Sequence, residues 1–186
     1  MFNLKDYIFV FENIVSNELC EMIVSEYEKE EDWITTSIGK GTVDEDMRKC
    51  KSLSISNKMT ILKNQKVRQN IDDELFKCSS NAIQKYNEKF PFAYIEQDEG
   101  YTLLRYKEGE FYKEHTDSYK LFPRSVSCVF ALNDDYEGGE FAFFNKEVKY
   151  KLKKGSALMF PSSFMYPHEV LPVTKSVRYS IITWFL

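Results

Sequence analysis

The sequence predicts an α+β fold that is mainly β, in which an N-terminal strand and helices support an all-β sandwich or barrel. Apolar residues recur at helical steps of three and four between residues 17 and 29 and again between 70 and 90. From residue 94 onward, short aromatic and β-branched runs alternate with breaks such as Glu-Gly-Glu, Asn-Asp-Asp-Tyr-Glu-Gly-Gly and Lys-Lys-Gly, a rhythm that implies about seven antiparallel strands. No linker, fixed-period repeat or low-complexity tract interrupts the 186 residues. One domain is therefore expected, with residues 1–93 supplying the strand, helices and a loop, and residues 94–186 supplying the β core.

Residues 7–15, Tyr-Ile-Phe-Val-Phe-Glu-Asn-Ile-Val, read as a strand because they are rich in aromatic and β-branched side chains. Ser16 is a natural helix cap, and Leu19, Met22, Ile23 and Tyr27 then place a helix over 17–29. Residues 32–47, with Gly39, Gly41 and several Thr, Ser and Asp residues, read as a loop or loose hairpin able to cover a site. Ile71, Leu75, Cys78, Ala82 and Tyr86 form one apolar stripe over 70–90, which Pro91 ends. The alternation of Lys149, Lys151 and Lys153 reads as the wet face of a strand, a protection against edge pairing, and no function is assigned to it.

Composition narrows the function. A hydrophobic share of 43%, with 15 Phe and 12 Tyr, suffices for a real core. With 29 acidic against 25 basic residues the net charge is −4, which offers no electrostatic footprint for nucleic acid. Cys20, Cys50, Cys78 and Cys128 are scattered singly, as expected of reduced thiols in a cytoplasm rather than a stapled secreted domain. The N-terminus lacks the pattern of a signal peptide, and no apolar run approaches the roughly 20 residues of a membrane helix. A soluble cytoplasmic protein with no membrane partner is expected, and nothing in the sequence sets an oligomeric state.

The chain has two histidines. His115 and Asp117 are two residues apart in a β-rich stretch, so on an extended strand their side chains share a face and reach one ion together. His168 follows 51 positions after Asp117, far enough for the chain to fold back and supply a third ligand. Two neutral imidazoles and one carboxylate on one face of an ion are typical of non-haem iron(II) oxygenases, because three coordination positions stay open. His-x-Asp alone is a weak signal, since each histidine by itself fits an ordinary surface or hydrogen-bonded role. The C-terminal run Val177-Arg178-Tyr-Ser180-Ile-Ile-Thr-Trp184 adds weight. On a strand, Arg178, Ser180, Ile182 and Trp184 share one face, and an inward guanidinium is costly without an anion. A carboxylate ligand would satisfy Arg178 through two parallel hydrogen bonds, with the Ser180 hydroxyl adding a third.

Residues 101–186 resemble the catalytic core of the prolyl 4-hydroxylase-like branch of the iron(II)/2-oxoglutarate-dependent dioxygenases. The resemblance is carried by Arg105-Tyr106 through Gly109 and Tyr112 to His115-Thr-Asp117, by the diglycine in Tyr136-Glu-Gly138-Gly139-Glu140, by Gly155-Ser-Ala-Leu-Met-Phe-Pro161, and by His168-Glu-Val-Leu-Pro172. It implies a double-stranded β-helix, or jelly roll, with supporting N-terminal helices. It also implies Fe(II) at His115, Asp117 and His168, 2-oxoglutarate as co-substrate at Arg178, Tyr106 and Ser180, O2 as oxidant, and ascorbate as reductant. Arg178 takes the place that lysine fills in many animal and plant members. Ala131 departs from a tyrosine found in some oxygen-sensing relatives, so that contact to the co-substrate must come from elsewhere.

The substrate implied by resemblance is a peptidyl proline in a peptide or protein, with release of succinate and CO2. Arg48, Tyr112, Arg124 and Trp184 are the candidates for the substrate surface. Two other readings are another residue or a small molecule under the same chemistry, and a non-catalytic jelly-roll binding protein.

Overall fold

A computed structural model gives the fold and describes residues 3–38, 41–93, 95, 97–120 and 123–186. The chain opens on a 3-10 turn, Leu4–Tyr7, followed by strand β1, Phe9–Phe11. This is shorter than the aromatic run 7–15 suggests: the backbone bends after Phe11, and Asn13 takes the left-handed φ of 58°, which a strand cannot contain. Helix α1, Asn17–Tyr27, begins where Ser16 Oγ accepts from the Leu19 N–H at 3.1 Å, and it buries Leu19, Cys20, Ile23 and Tyr27. It stops two residues before the predicted end.

Strands β2, Ile34–Thr35, β3, Arg48–Lys49, and β4, Lys51–Ser54, are short. Between β2 and β3 the loose-hairpin reading is met by a single bridge between Ile38 and Thr42, while Gly39 and Lys40 lie outside the described residues. Helix α2, Lys58–Lys63, has no signature in the sequence pattern. Helix α3, Gln65–Lys89, begins earlier than its apolar stripe, and Pro91 lies just beyond its end. The stripe itself is buried as expected at Ile71, Leu75, Ala82 and Tyr86. Arg68 ties α3 to α1: its Nε donates to Glu26 at 2.6 Å and its Nη2 to Glu30, with the guanidinium over the Tyr27 ring.

Ten strands follow where about seven are expected. They are β5, Thr102–Tyr106; β6, Phe111–His115; β7, Val126–Ala131; β8, Glu137–Gly138; β9, Phe141–Phe143; β10, Val148–Tyr150; β11, Ala157–Pro161; β12, His168–Val170; β13, Val173–Lys175; and β14, Arg178–Phe185. Seven strands form one sheet in the order β1-β11-β7-β14-β5-β4-β2, five form a second in the order β10-β9-β12-β6-β3, and β13 pairs with β8. Every pairing between these described strands is antiparallel. Strands from before residue 93 enter both sheets, so the N-terminal segment extends the β core as well as covering it.

The large sheet has apolar partners on both faces. Its outer face packs Leu103, Phe130, Met159 and Ile181 against Ile23, Ile71 and Leu75 of the helices. Its inner face packs Leu104, Val129, Leu158, Phe160 and Ile182 against Phe141, Phe143 and Val170 of the smaller sheet. That is why β7 is buried at all six positions instead of alternating. Burial of each such side chain stabilises the fold by roughly 1.5–3 kcal/mol. The two sheets facing each other around the inner core make the expected jelly roll, mainly β with helical support. No helix among the described residues is long and apolar enough to cross a membrane, and the four cysteines are free thiols.

Candidate active site

Between the two sheets lies a cavity of about 410 Å3 whose lining includes His115, Asp117, His168, Arg178, Tyr106 and Trp184. The cross-strand register assembles it. His168 of β12 stands directly opposite His115 of β6, which closes the gap between them in the sequence and brings their ring centroids to 4.3 Å. Asp117 lies just past the end of β6 rather than within it. Its Oδ1 is 3.6 Å from His115 Nε2 and its Oδ2 3.5 Å from His168 Nε2. Donor atoms of all three residues lie within 4.8 Å of one another, as one divalent cation requires.

The imidazoles are oriented by their own backbone. His115 Nδ1 is 2.8 Å from the Lys113 carbonyl and His168 Nδ1 is 3.0 Å from the Tyr166 carbonyl. A carbonyl only accepts, so each Nδ1 carries the proton and each Nε2 keeps a lone pair for the cluster. Burial pushes His168 down to about 4, and neighbouring His115 acts in the same direction against the opposing Asp117 charge. Burial opposes the ionised form of Asp117, but His168, His115 and the Ser127 hydroxyl outweigh it and hold the carboxyl well below the usual range. A neutral imidazole beside an ionised carboxylate is the protonation pattern that metal ligation needs. These donors fit a divalent ion.

Arg178 opens β14, opposite Tyr106 of β5, with Ser180 opposite Leu104 and Ile182 opposite Thr102. Only 2% of Arg178 is exposed, its Nη1 donates to Ser180 Oγ at 3.1 Å, and its guanidinium lies 5.2 Å from the ring centres of both Tyr106 and Phe141. Among the described residues no carboxylate forms an ion pair with it. A buried cation held this way fits an anionic ligand in the cavity. Ala131, on β7, is opposite Ser180, so the inward small side chain borders the partner of Arg178.

The four residues assigned to the substrate surface all line the same cavity. Tyr112 stacks on His115 with centroids 3.5 Å apart, and the guanidinium of Arg48, opposite it on β3, lies 4.3 Å from the Tyr112 ring centre as a cation–π partner. Arg124 is paired with Glu99, Nη2 to Oε2 at 2.7 Å, and stacks 3.5 Å from the Trp184 ring centre. Trp184 Nε1 is buried without a hydrogen-bond partner among the described residues.

Sequence reasoning missed two hydroxyls. Ser127 donates to Asp117 Oδ2 at 2.6 Å and sits 2.8 Å from Ser162 Oγ. The only sequence signal for Ser127 is its place on the inward face of β7, two residues before Val129 and four before Ala131. Lys149, Lys151 and Lys153 are all exposed, as the wet-face reading expects, although only Lys149 lies within a strand. Lys151 donates to the carbonyls of Tyr136 at 2.9 Å and Gly138 at 2.8 Å and lies 3.3 Å over the Tyr136 ring, which ties down the diglycine turn. Lys153 does reach out to Glu12, and Lys149 is exposed.

Residues 101–186 match the family described as the 2OG-Fe(II) oxygenase superfamily. A PKHD-type hydroxylase of Idiomarina loihiensis is 35% identical over 89 residues, covering 45% of this chain and 40% of that protein. Human prolyl 3-hydroxylase 2 is 39% identical over 67 residues, covering 33% of this chain and 10% of that protein. The chain thus spans about two fifths of the first of these curated relatives. Among solved structures, a prolyl hydroxylase of Trichoplax adhaerens, in complex with a hypoxia inducible factor oxygen degradation domain peptide fragment, superposes with a TM-score of 0.81 at 18% identity, covering 97% of this chain and 83% of that one. A Pseudomonas putida prolyl-4-hydroxylase gives 0.70 at 20% identity, covering 96% and 91%. The superfamily and the prolyl hydroxylase-like fold agree with the geometry of the cavity.

Proposed function

We propose that the chain is an Fe(II)- and 2-oxoglutarate-dependent dioxygenase that hydroxylates an unactivated C–H bond in a peptide or protein, at a prolyl residue. The observation that carries this reading is the pairing of the His115, Asp117 and His168 cluster with a buried Arg178 that has no ion pair among the described residues, in one cavity. Bound iron and 2-oxoglutarate supply the oxidising chemistry: O2 delivers one oxygen atom to the substrate and one to the succinate formed as CO2 leaves. Ascorbate serves as the reductant.

His115 and His168 offer Nε2 and Asp117 a carboxylate oxygen to the iron. Arg178 and Ser180 bind the distant carboxylate of 2-oxoglutarate, and the Tyr106 ring forms the wall beside it. Phe141, Phe160 and Ile182 line the same space and limit water there. At the other side Tyr112, Arg48, Arg124 and Trp184 receive the peptide. The described parts of residues 32–47 border the cavity at Thr36, Ser37, Ile38 and Met47, which suits a cover over bound peptide. Residues 1–186 act as one catalytic domain, and the four free thiols suit a cytoplasmic setting.

A proline-containing peptide library incubated with Fe(II), 2-oxoglutarate and ascorbate, and read by mass spectrometry, tests the reading. Peptides should gain one oxygen atom at proline, and His168→Ala should remove the gain. Oxygen added only at other residues, or equally by the variant, would contradict the prolyl assignment.

A further inference from the structure

The hydroxyl of Ser127 is wholly buried, that of Ser162 nearly so, at 0% and 1% residue exposure. Ser127 Oγ lies 2.6 Å from Asp117 Oδ2 and 2.8 Å from Ser162 Oγ. The directions of these bonds follow from chemistry. An ionised carboxylate only accepts, so the single Ser127 proton points to Asp117, and the proton between the two serines comes from Ser162. The 2.6 Å separation is the short range of a hydroxyl bonded to an anion.

We infer that Ser127, backed by Ser162, is a positioning residue that engages Oδ2 of Asp117 and leaves Oδ1 as the one oxygen offered to the metal. This rests on the proposed role of Asp117 as a ligand. A carboxylate free to turn can grip a cation with both oxygens and occupy two coordination positions. Held by Ser127 at Oδ2, it occupies one, and three positions stay open for a chelating 2-oxo acid and O2. The anchor is set in rigid backbone. Ser127 is on β7, fully buried and paired on both sides, to Phe160 of β11 and Trp184 of β14. Ser162 follows β11, where its N–H donates to the Ser125 carbonyl at 3.0 Å and its own carbonyl accepts from the Ser118 N–H at 2.9 Å. The same residue therefore fixes the backbone just after Asp117 and orients the hydroxyl that holds its side chain.

The test uses Co(II) as the probe under anaerobic conditions, with its affinity measured against a chromophoric chelator and its visible absorption bands recorded. Ser127→Ala should bind Co(II) roughly tenfold to a hundredfold more weakly and with altered bands, the range typical of a lost ligand-orienting hydrogen bond. Ser162→Ala should shift affinity in the same direction by less. Ser127→Thr and Ser127→Val differ in little but the hydroxyl and both suit a strand, so they separate positioning from folding: Thr should retain wild-type affinity and bands, and Val should lose them. Val behaving like Thr would overturn the inference. Asp117→Ala distinguishes this failure from a wider one: if it binds Co(II) as wild type does, the ligand role of Asp117 fails as well, whereas if it binds weakly while Ser127→Val is normal, the positioning role alone falls.

Discussion

The proposed use of the cavity turns on Arg178. An arginine buried to 2% exposure with a serine hydroxyl and two aromatic rings around it, and no ion pair among the described residues, is costly unless a ligand completes it. Arg178→Ala should therefore weaken 2-oxoglutarate binding by roughly tenfold to a hundredfold, the range for a charge-assisted pair, while leaving metal affinity within about twofold. Calorimetry on metal-loaded protein checks this, and unchanged co-substrate affinity would remove Arg178 from that role. At this scale the sequence was informative wherever a residue type is expensive in its setting: two histidines in the chain and a cation inside an apolar strand stand out. Ser127 does not, because a serine on a strand is common, and its meaning arises only when β7 passes behind Asp117. Lys151 is exposed as its alternation implies, but the pattern says only which face a side chain leaves from, not that its four-carbon stem then bends to the Tyr136 and Gly138 carbonyls.

The diglycine turn between β8 and β9 shows how a short element serves the site. Gly138 and Gly139 both have left-handed backbones, with φ of 69° and 66°. A Cβ on Gly138 would lie 2.3 Å from the Pro172 carbonyl oxygen, and one on Gly139 would lie 3.0 Å from Cδ of Arg178. Gly138→Ala should cost about 2 kcal/mol or more, seen as a fall in Tm of roughly 5–10 °C, because strain and backbone overlap add. An unchanged Tm would mean the turn relaxes freely. The long helices were legible because their apolar stripes are intrinsic to the sequence. The strands of the β core were undercounted because β8 has two residues and β9, β10, β12 and β13 three each, and they exist through their partners, so no local pattern announces them. β1 was overestimated for the opposite reason: its composition suits a strand, but the turn at Asn13 overrides it.

At the scale of the molecule, the jelly roll acts as a clamp of two sheets. The large sheet, held from behind by α1 and α3, presents Tyr106, Ser127, Arg178 and Trp184, and the smaller sheet with its following turn presents His115, His168 and Asp117. The order of motifs along the chain made this core legible through its resemblance to a known family. The N-terminal contribution was not, since strands from that segment join both sheets through long-range pairing. The proposed oxygenase function rests on one metal centre and one buried arginine in a single cavity. The most direct measurement is succinate released from 2-oxoglutarate by the purified chain with Fe(II) and ascorbate, in the absence of any peptide, compared with His115→Ala. Slow turnover by the wild type and none above background by the variant are expected; equal release by both, or none by a wild type that binds metal and 2-oxoglutarate, would contradict the oxygenase reading.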